Sequence, residues 1–417
     1  MKFIHAADLH LDSPLRGLDR YDGAPAEMIR SASRRAFENL IRLAIDEKVS
    51  FILIAGDLFD GDWQDYNTGL YLVRCLGQLL EAQIEIFIIS GNHDAQSHMS
   101  RSLPYPENVR QFSTDTPESY HLPELNLYIH GQGFAKREVT EDLSQHYPDA
   151  VANAFNIGLL HTSLDGKPGH EPYAPCTLEG LCSKGYDYWA LGHIHRQEVV
   201  RQSPWVVYPG NLQGRHIRET GGKGCTLVTV DAGEVVEVKP IALDVMRWSH
   251  EMLLLEDSHH YEQIPLLAQE VMIQAQQGAE GREIALRLEI AGKISWHDQL
   301  LSQQDTLLHQ LRAVANALVG TGVWLEKVVI QTQPLQEESA VSSDTLSQLL
   351  QAVERYQNDP QQLTPLLDDV TKLREKLPIA LRQGEEPYDP LSEIALKQTL
   401  AAVKSLLSSK LQGKERT

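Results

Sequence analysis

Apolar and polar positions switch between two periods along the first 240 residues. Short apolar runs at 2–7, 51–55 and 84–89 read as strands. Phe51-Ile52-Leu53-Ile54-Ala55 is apolar at every position, as a strand buried on both faces of a parallel sheet is. Between these runs, 26–47 carries Phe37, Leu40, Ile41 and Ala44 at helical spacing, and 68–81 carries Leu72, Val73, Leu76, Leu79 and Leu80. Further strand-like runs follow at 125–130, 154–160, 186–191, 205–208 and 225–230, separated by Gly, Pro and Asp turns. This pattern predicts a layered α/β domain over 1–240. Residues 246–334 then read strand 248–255, helix 261–276, strand 283–290, helix 296–318 and strand 323–332. That is a small βαβαβ domain with Gly278, Gly281, Gly292, Gly320 and Gly322 at its turns. Over 335–417 the strand signals stop. Residues 343–356, 364–376 and 391–411 read as helices, separated by Pro360, Pro378, Pro387 and Pro390.

Composition narrows this picture. The chain has 417 residues, too many for one ordinary core, and its 42% hydrophobic and 23% charged residues are those of a globular protein. No apolar run reaches membrane-spanning length, and the opening Lys2-Phe3-Ile4-His5-Ala6-Ala7 shows no leader pattern. A cytoplasmic location without membrane attachment is expected. Cys75, Cys176, Cys182 and Cys225 form no CxxC pair, so free thiols in a reducing compartment are expected. The net charge of −20 argues against an autonomous, tight nucleic-acid binder. It does not exclude a nucleic-acid substrate, because bound divalent ions reverse the local potential and a partner can grip the backbone.

Five short pieces concentrate the chemistry: Asp8-Leu9-His10, Gly56-Asp57, Gly91-Asn92-His93-Asp94, His161 and Gly192-His193-Ile194-His195. Each follows an apolar strand, which places oxygen and nitrogen donors at strand ends of one domain, where open α/β proteins build their sites. Carboxylate, amide oxygen and imidazole without cysteine suit Mn²⁺, Fe or Zn²⁺. Asp8 and His10 are one residue apart, and an extended chain would face both the same way, as it would His193 and His195. Asp57 is placed to bridge two metals with its two oxygens, and Asn92 offers a neutral one. His93 is the natural general acid or transition-state donor. Asp-x-His and Gly-Asp alone are commonly turns; Gly-Asn-His-Asp is rarer, and paired with Gly-His-x-His it is hard to explain as packing. Five of the chain's 17 histidines lie in these motifs. His5 is expected to be a packed residue near the site, and His98, His121, His130, His170, His259 and His260 loop or surface groups. A second candidate is the 210–224 stretch, where Arg215, His216, Arg218 and Lys223 sit between glycines, joined by Arg196. These cations are candidates for phosphate contact, with a solvated hairpin of incidental charge as the alternative.

The five pieces resemble the motifs of the calcineurin-like metallophosphoesterase superfamily. The runs Phe3 to Leu11 and Gly56-Asp57-Leu58-Phe59-Asp60 are similar to the DNA-repair exonuclease, SbcD-like branch, and the run from Tyr208 to Glu219 resembles its bacterial YhaO-like subgroup. The resemblance covers about residues 1–240. It implies a metallophosphoesterase β-sandwich flanked by helices, with 246–334 placed like that family's capping domain. It also implies two divalent ions, Mn²⁺ by the family pattern. Asp8, His10, Asp57 and His195 would hold one, Asp57, Asn92, His161 and His193 the other, with Asp57 and His93 catalytic. Asp60 and Asp94 would stand behind the ligands. Archaeal and eukaryotic relatives tend to carry histidine at the place of Asp60, and an aspartate cannot act there as an imidazole does.

The expected function is therefore two-metal hydrolysis of DNA phosphodiesters by an exonuclease-type enzyme. No arginine follows closely on Gly56-Asp57 to hold a phosphomonoester, and the third motif ends in Asp94 rather than glutamate. A phosphatase or cyclic-nucleotide diesterase of the same superfamily is the first alternative, an inactive scaffold the second. The chain lacks GxxxxGK[ST], so ATP hydrolysis would fall to a partner. The resemblance implies docking of the C-terminal helices on an SMC-like coiled-coil ATPase and a helix-mediated homodimer. Packing of those helices on their own domain is the competing reading.

Overall fold

The computed structural model describes residues 1–13, 25–60, 66–96, 103–164, 173–318, 320 and 322–335, with parts of 351–403 beyond them. Its strands are β1 (Lys2–Ala6), β2 (Phe51–Ala55), β3 (Glu85–Ile89), β4 (Val109–Gln111), β5 (Glu118–Leu122), β6 (Leu127–Gly131), β7 (Phe155–His161), β8 (Tyr188–Gly192), β9 (Glu198–Gln202), β10 (Trp205–Tyr208), β11 (Gly224–Asp231) and β12 (Glu234–Ala242). They form two six-stranded mixed sheets, ordered β12-β11-β1-β2-β3-β4 and β5-β6-β7-β8-β10-β9. Within them β1 to β4 run parallel, and so do β6, β7, β8 and β10.

The unbroken apolar run of β2 has a direct cause. Phe51, Leu53 and Ala55 pack with residues of the second sheet, including Ile129, Ile157, Leu159 and Tyr188, while Ile52 and Ile54 face the helices on the other side. Phe51 stacks on Phe3 at 5.0 Å, and each such buried ring contributes roughly 1.5–3 kcal/mol. Helix α1 (Ala26–Glu47) buries Phe37, Leu40, Ile41 and Ala44, as its periodicity predicts, and ends where Lys48 turns left-handed at φ 52°. Helix α2 (Tyr66–Glu81) lies beside it and buries Leu72, Leu76 and Leu79 in the same cluster. The outer face of the second sheet is covered through Tyr147, Leu181, Tyr186 and Trp189, with the short α3 (Leu178–Ser183) capped by the Thr177 hydroxyl.

Four strands escape the sequence reading: β4, β5, β9 and β12. All four are sheet edges. An edge strand lacks a neighbour on one side and here shows little apolar burial, as the largely exposed β12 illustrates.

The chain folds as two units, Met1–Glu251 with Ala268–Leu288 and Leu311–Val328, and Met252–Leu267 with Glu289–Gln310 and Val329–Thr417. The later elements are β13 (Met246–Leu254), α4 (Ile264–Gly278), β14 (Glu283–Ile294), α5 (His297–Ser302), α6 (Gln304–Ala317) and β15 (Val323–Pro334), with a three-stranded sheet β13-β14-β15. The expected helix over 296–318 is broken at Gln303, whose φ of −112° and ψ of 15° leave the helical basin. In the tail, α7 (Asp368–Lys376) lies within the expected 364–376 helix; the readings at 343–356 and 391–411 fall mostly outside the described residues. Among the described residues no helix is long and apolar enough to cross a membrane.

Candidate metal centre

The five motifs lie at the carboxyl ends of β1, β2, β3, β7 and β8, all within the larger unit. Past those ends the backbone keeps pairing: Asp8 N–H donates to Gly56 O, His10 N–H to Asp57 O and Leu11 N–H to Leu58 O, each at 3.0 Å. The chain is not extended there. Asp8, His10 and Asp57 adopt φ of 52°, 43° and 53°, and His193 adopts 97°. Asp8 and His10 thus face one pocket through left-handed turns, which corrects the extended alternation expected from their spacing. Non-glycine residues pay for such backbone only where surrounding structure over-determines it, and the clustering of four marks the site.

Glycines let the loops close. A Cβ on Gly91 would stand 2.2 Å from Asp57 Oδ1, and one on Gly192 would stand 1.9 Å from Ala55 O. Asp94 ties two loops together by accepting from Leu58 N–H (3.1 Å), Phe59 N–H (2.9 Å) and Gly91 N–H (3.0 Å). Burial, with the neighbouring Asp57 charge, pushes its carboxyl up to about 7.

Asp57 is central. Its Oδ1 accepts from His93 N–H at 2.9 Å, and its Oδ2 lies 3.5 Å from His161 Nε2 and 3.9 Å from His10 Nε2. Burial alone would raise its pKa; the surrounding imidazoles where protonated, and the His93 N–H bond, pull it below the usual carboxylate range. Asp8 accepts from His193 N–H on both oxygens, at 3.2 and 3.1 Å, and burial raises its pKa. His161 donates from Nδ1 to Ala55 O at 2.8 Å, which leaves Nε2 as a bare lone pair 2.9 Å from Asn92 Oδ1. His10 Nε2 and His195 Nε2 face each other at 3.3 Å. The His193 ring stands edge-on to His161 and to Tyr173.

The donor set fits metal ions. Burial lowers the pKa of His161 and His195, and that of His10 to about 3, which favours the neutral ring that a metal ligand needs. Lone pairs and carboxylate oxygens then point at one another, and a cation resolves that repulsion. Ligand atoms of Asp8, His10 and His195 lie within 4.8 Å of one another, as do those of Asp8, Asp57 and His161.

His93 differs. It is 27% exposed, its Nδ1 is 2.9 Å from Asp60 Oδ1, and its ring stands edge-on to His10. Burial lowers its pKa, but the Asp60 contact and the Asp57 and Asp60 charges outweigh this and raise it. Asp60 also accepts from Ser13 Oγ at 2.5 Å and lies 3.5 Å from Arg215 Nη1. An aspartate at this place does not imitate an imidazole; it lies against the His93 ring and raises its pKa.

The 210–224 stretch divides. Arg215 reaches Asp60, and Lys223 Nζ donates to His195 O at 2.9 Å, with burial lowering its pKa. His216 Nε2 lies 3.5 Å from Glu219 Oε1. Arg196 and Arg218 are exposed. The sequence reading missed Glu219, which is buried with its Oε1 2.6 Å from His195 Nδ1. The signal was available: it is the only acidic residue between Gly210 and Gly224. Burial would raise its pKa, but the His195 hydrogen bond and the nearby cations hold it below the usual range.

Among the other histidines, His5 is packed as expected, between Tyr188 Oη and Leu191 O at 3.1 Å each. His130 is a correction. It is not a loop or surface group but a buried residue of β6, bonded to Ser119 Oγ at 2.7 Å and Asn156 Oδ1 at 3.3 Å. The alternating pattern of β6 hid it, because polar partners satisfy its ring inside the fold. His98 and His170 lie outside the described residues.

Comparison with known proteins agrees with this architecture. Residues 1–197 match the family model of calcineurin-like phosphoesterases, and residues 248–333 match that of the metallophosphoesterase YhaO middle domain. An uncharacterized metallophosphoesterase YhaO of Bacillus subtilis (strain 168) is 39% identical over 239 residues, 56% of this chain and 59% of that protein. The DNA double-strand break repair protein Mre11 of Sulfurisphaera tokodaii is 28% identical over 266 residues, 59% of this chain and 64% of that protein. The chain thus matches less than two thirds of the length of either relative. A solved dimetal phosphatase from Danio rerio shows a loose likeness, with 11% identity and a TM-score of 0.36 over 56% of this chain and 93% of that one.

Proposed function

We propose that this chain, whose residues 1–197 form a calcineurin-like metallophosphoesterase domain, hydrolyses phosphodiester bonds of DNA with two divalent metal ions. Asp8, His10, Asp57 and His195 would hold one ion, and Asp57, Asn92, His161 and His193 the other, with Mn²⁺ as the cation. Bound there, the ions would supply a hydroxide at neutral pH and neutralise charge building on the phosphate. His93, kept protonated by Asp60, donates its proton to the leaving oxygen. Asp94 holds the loops that carry Asp57 and His93 in register. Arg215, beside Asp60, offers a cation to a phosphate oxygen.

The observation that carries this reading is the His93–Asp60 contact of 2.9 Å at the rim of a cluster of neutral imidazoles and carboxylates. It puts a proton donor beside candidate metal ligands. Two features favour a diester: no arginine follows Asp57 before Asp60, and a relative of this chain is named a DNA double-strand break repair protein. A cytoplasmic setting, a coiled-coil ATPase partner for the helical tail and a homodimer belong to the same reading and rest on the sequence pattern.

The test is hydrolysis of linear, hairpin and circular DNA with Mn²⁺, beside a small phosphodiester and a phosphomonoester. Metal-dependent cleavage of DNA and of the small diester is expected. Turnover of the monoester alone, with DNA intact, would assign the chain to the phosphatases.

A further inference from the structure

We propose that Glu219 is a positioning residue that ties one metal ligand and one phosphate-facing cation to a single carboxylate. This rests on the metal-dependent reading above and names a part of that site which none of the five metal motifs contains.

The geometry carries it. Glu219 is 6% exposed and receives donors on both oxygens. Oε1 accepts from His195 Nδ1 at 2.6 Å; Oε2 accepts from Asn211 Nδ2 at 2.9 Å and from Arg215 N–H at 2.7 Å. A carboxylate only accepts, so His195 must carry its proton on Nδ1 and turn a bare Nε2 toward His10 Nε2 and Asp8 Oδ1, at 3.3 and 3.8 Å. The other oxygen fixes the backbone of Arg215, whose guanidinium then lies 3.5 Å from Asp60, on the side of His93. Asn211, the third donor, bridges to Ala7 beside Asp8. One side chain therefore sets the tautomer of a ligand, the reach of a cation and the seat of the loop against β1.

The loop has anchors of its own. Gln213 donates to Met246 O at 2.6 Å and accepts from Val245 N–H at 2.9 Å, and Trp248 Nε1 donates to Gly214 O at 3.1 Å. A change at Glu219 therefore leaves the loop pinned from its other side. Glutamine at this position cannot satisfy three donors, because one of its two polar atoms is itself a donor.

Manganese titration by calorimetry, on the full chain and without nucleic acid, tests the first half. In Glu219→Gln the affinity for one of two ions should fall about 10–100-fold, with the other ion and the melting temperature near wild type. Glu219→Asp keeps the charge but loses reach to His195, so it should weaken the same ion and serves if the glutamine variant folds poorly. The second half is read on a small phosphodiester at saturating metal. Arg215→Ala should raise KM with both manganese affinities unchanged, whereas Glu219→Gln should raise KM and weaken the metal together. Wild-type affinity for both ions in Glu219→Gln and Glu219→Asp would overturn the proposal, as would an unchanged KM in Glu219→Gln. A chain that binds two ions and cleaves the small diester but not DNA would sink the nuclease reading and leave this one standing.

Discussion

The floor and the rim of the site put histidine in opposite electrostatic settings. On the floor, His10 and His161 are buried among carboxylates and backbone carbonyls, and burial drives their pKa down. At the rim, His93 sits about 5 Å from His10, ring centre to ring centre, yet its pKa is raised. Burial makes the difference. The Asp60 carboxylate raises both rings, from 2.9 Å at His93 Nδ1 and 3.6 Å at His10 Nδ1, but water reaches His93 while His10 is sealed. One residue type thus meets opposite electrostatic settings within one site, which fits the proposed split between metal ligand and proton donor. Environments that push titratable groups apart are how a site assigns ligand and acid roles at a single pH.

The comparison breaks most completely if the floor is disabled. Asp57→Ala removes the carboxylate that faces both groups of imidazoles, so metal content by mass spectrometry and hydrolysis should both fall to background. Retained stoichiometric metal would show that the floor does not depend on Asp57. At the rim, His93→Ala should lower kcat by about 10²–10⁴-fold with metal content unchanged. Loss of metal in that variant would make His93 part of the floor and erase the distinction. Asp60→Asn should have a smaller effect and a directional one. His93 must be protonated to act, so activity is lost as pH rises through its raised pKa. Without the Asp60 charge that pKa falls, and the alkaline limb of the pH profile should move to lower pH. A limb that stays in place would mean that Asp60 does not set the charge of His93.

The sheets repeat the lesson on a larger scale. Strands buried on both faces, such as β2, are legible because every residue must be apolar, whereas β4, β5, β9 and β12 at the edges obey no such demand. The candidate ligands were legible for a related reason. Metal chemistry restricts the residue types, and each motif must follow directly on a buried strand. Their backbone was not: Asp8, His10, Asp57 and His193 take left-handed turns that no spacing rule anticipates.

The sequence by itself determined the order of the buried strands and the two long covering helices in the first 240 residues, and the donor types at five strand ends. These follow from local periodicity and from chemistry carried within a few residues. Only the tertiary structure decided how burial and neighbours shift the rings of the site, that Asp60 lies against His93, that Arg215 and Lys223 reach Asp60 and His195 while Arg196 and Arg218 are exposed, and that Glu219 stands behind His195. Those properties depend on burial and on oxygen-to-nitrogen distances between residues far apart in the chain, and no local pattern records them.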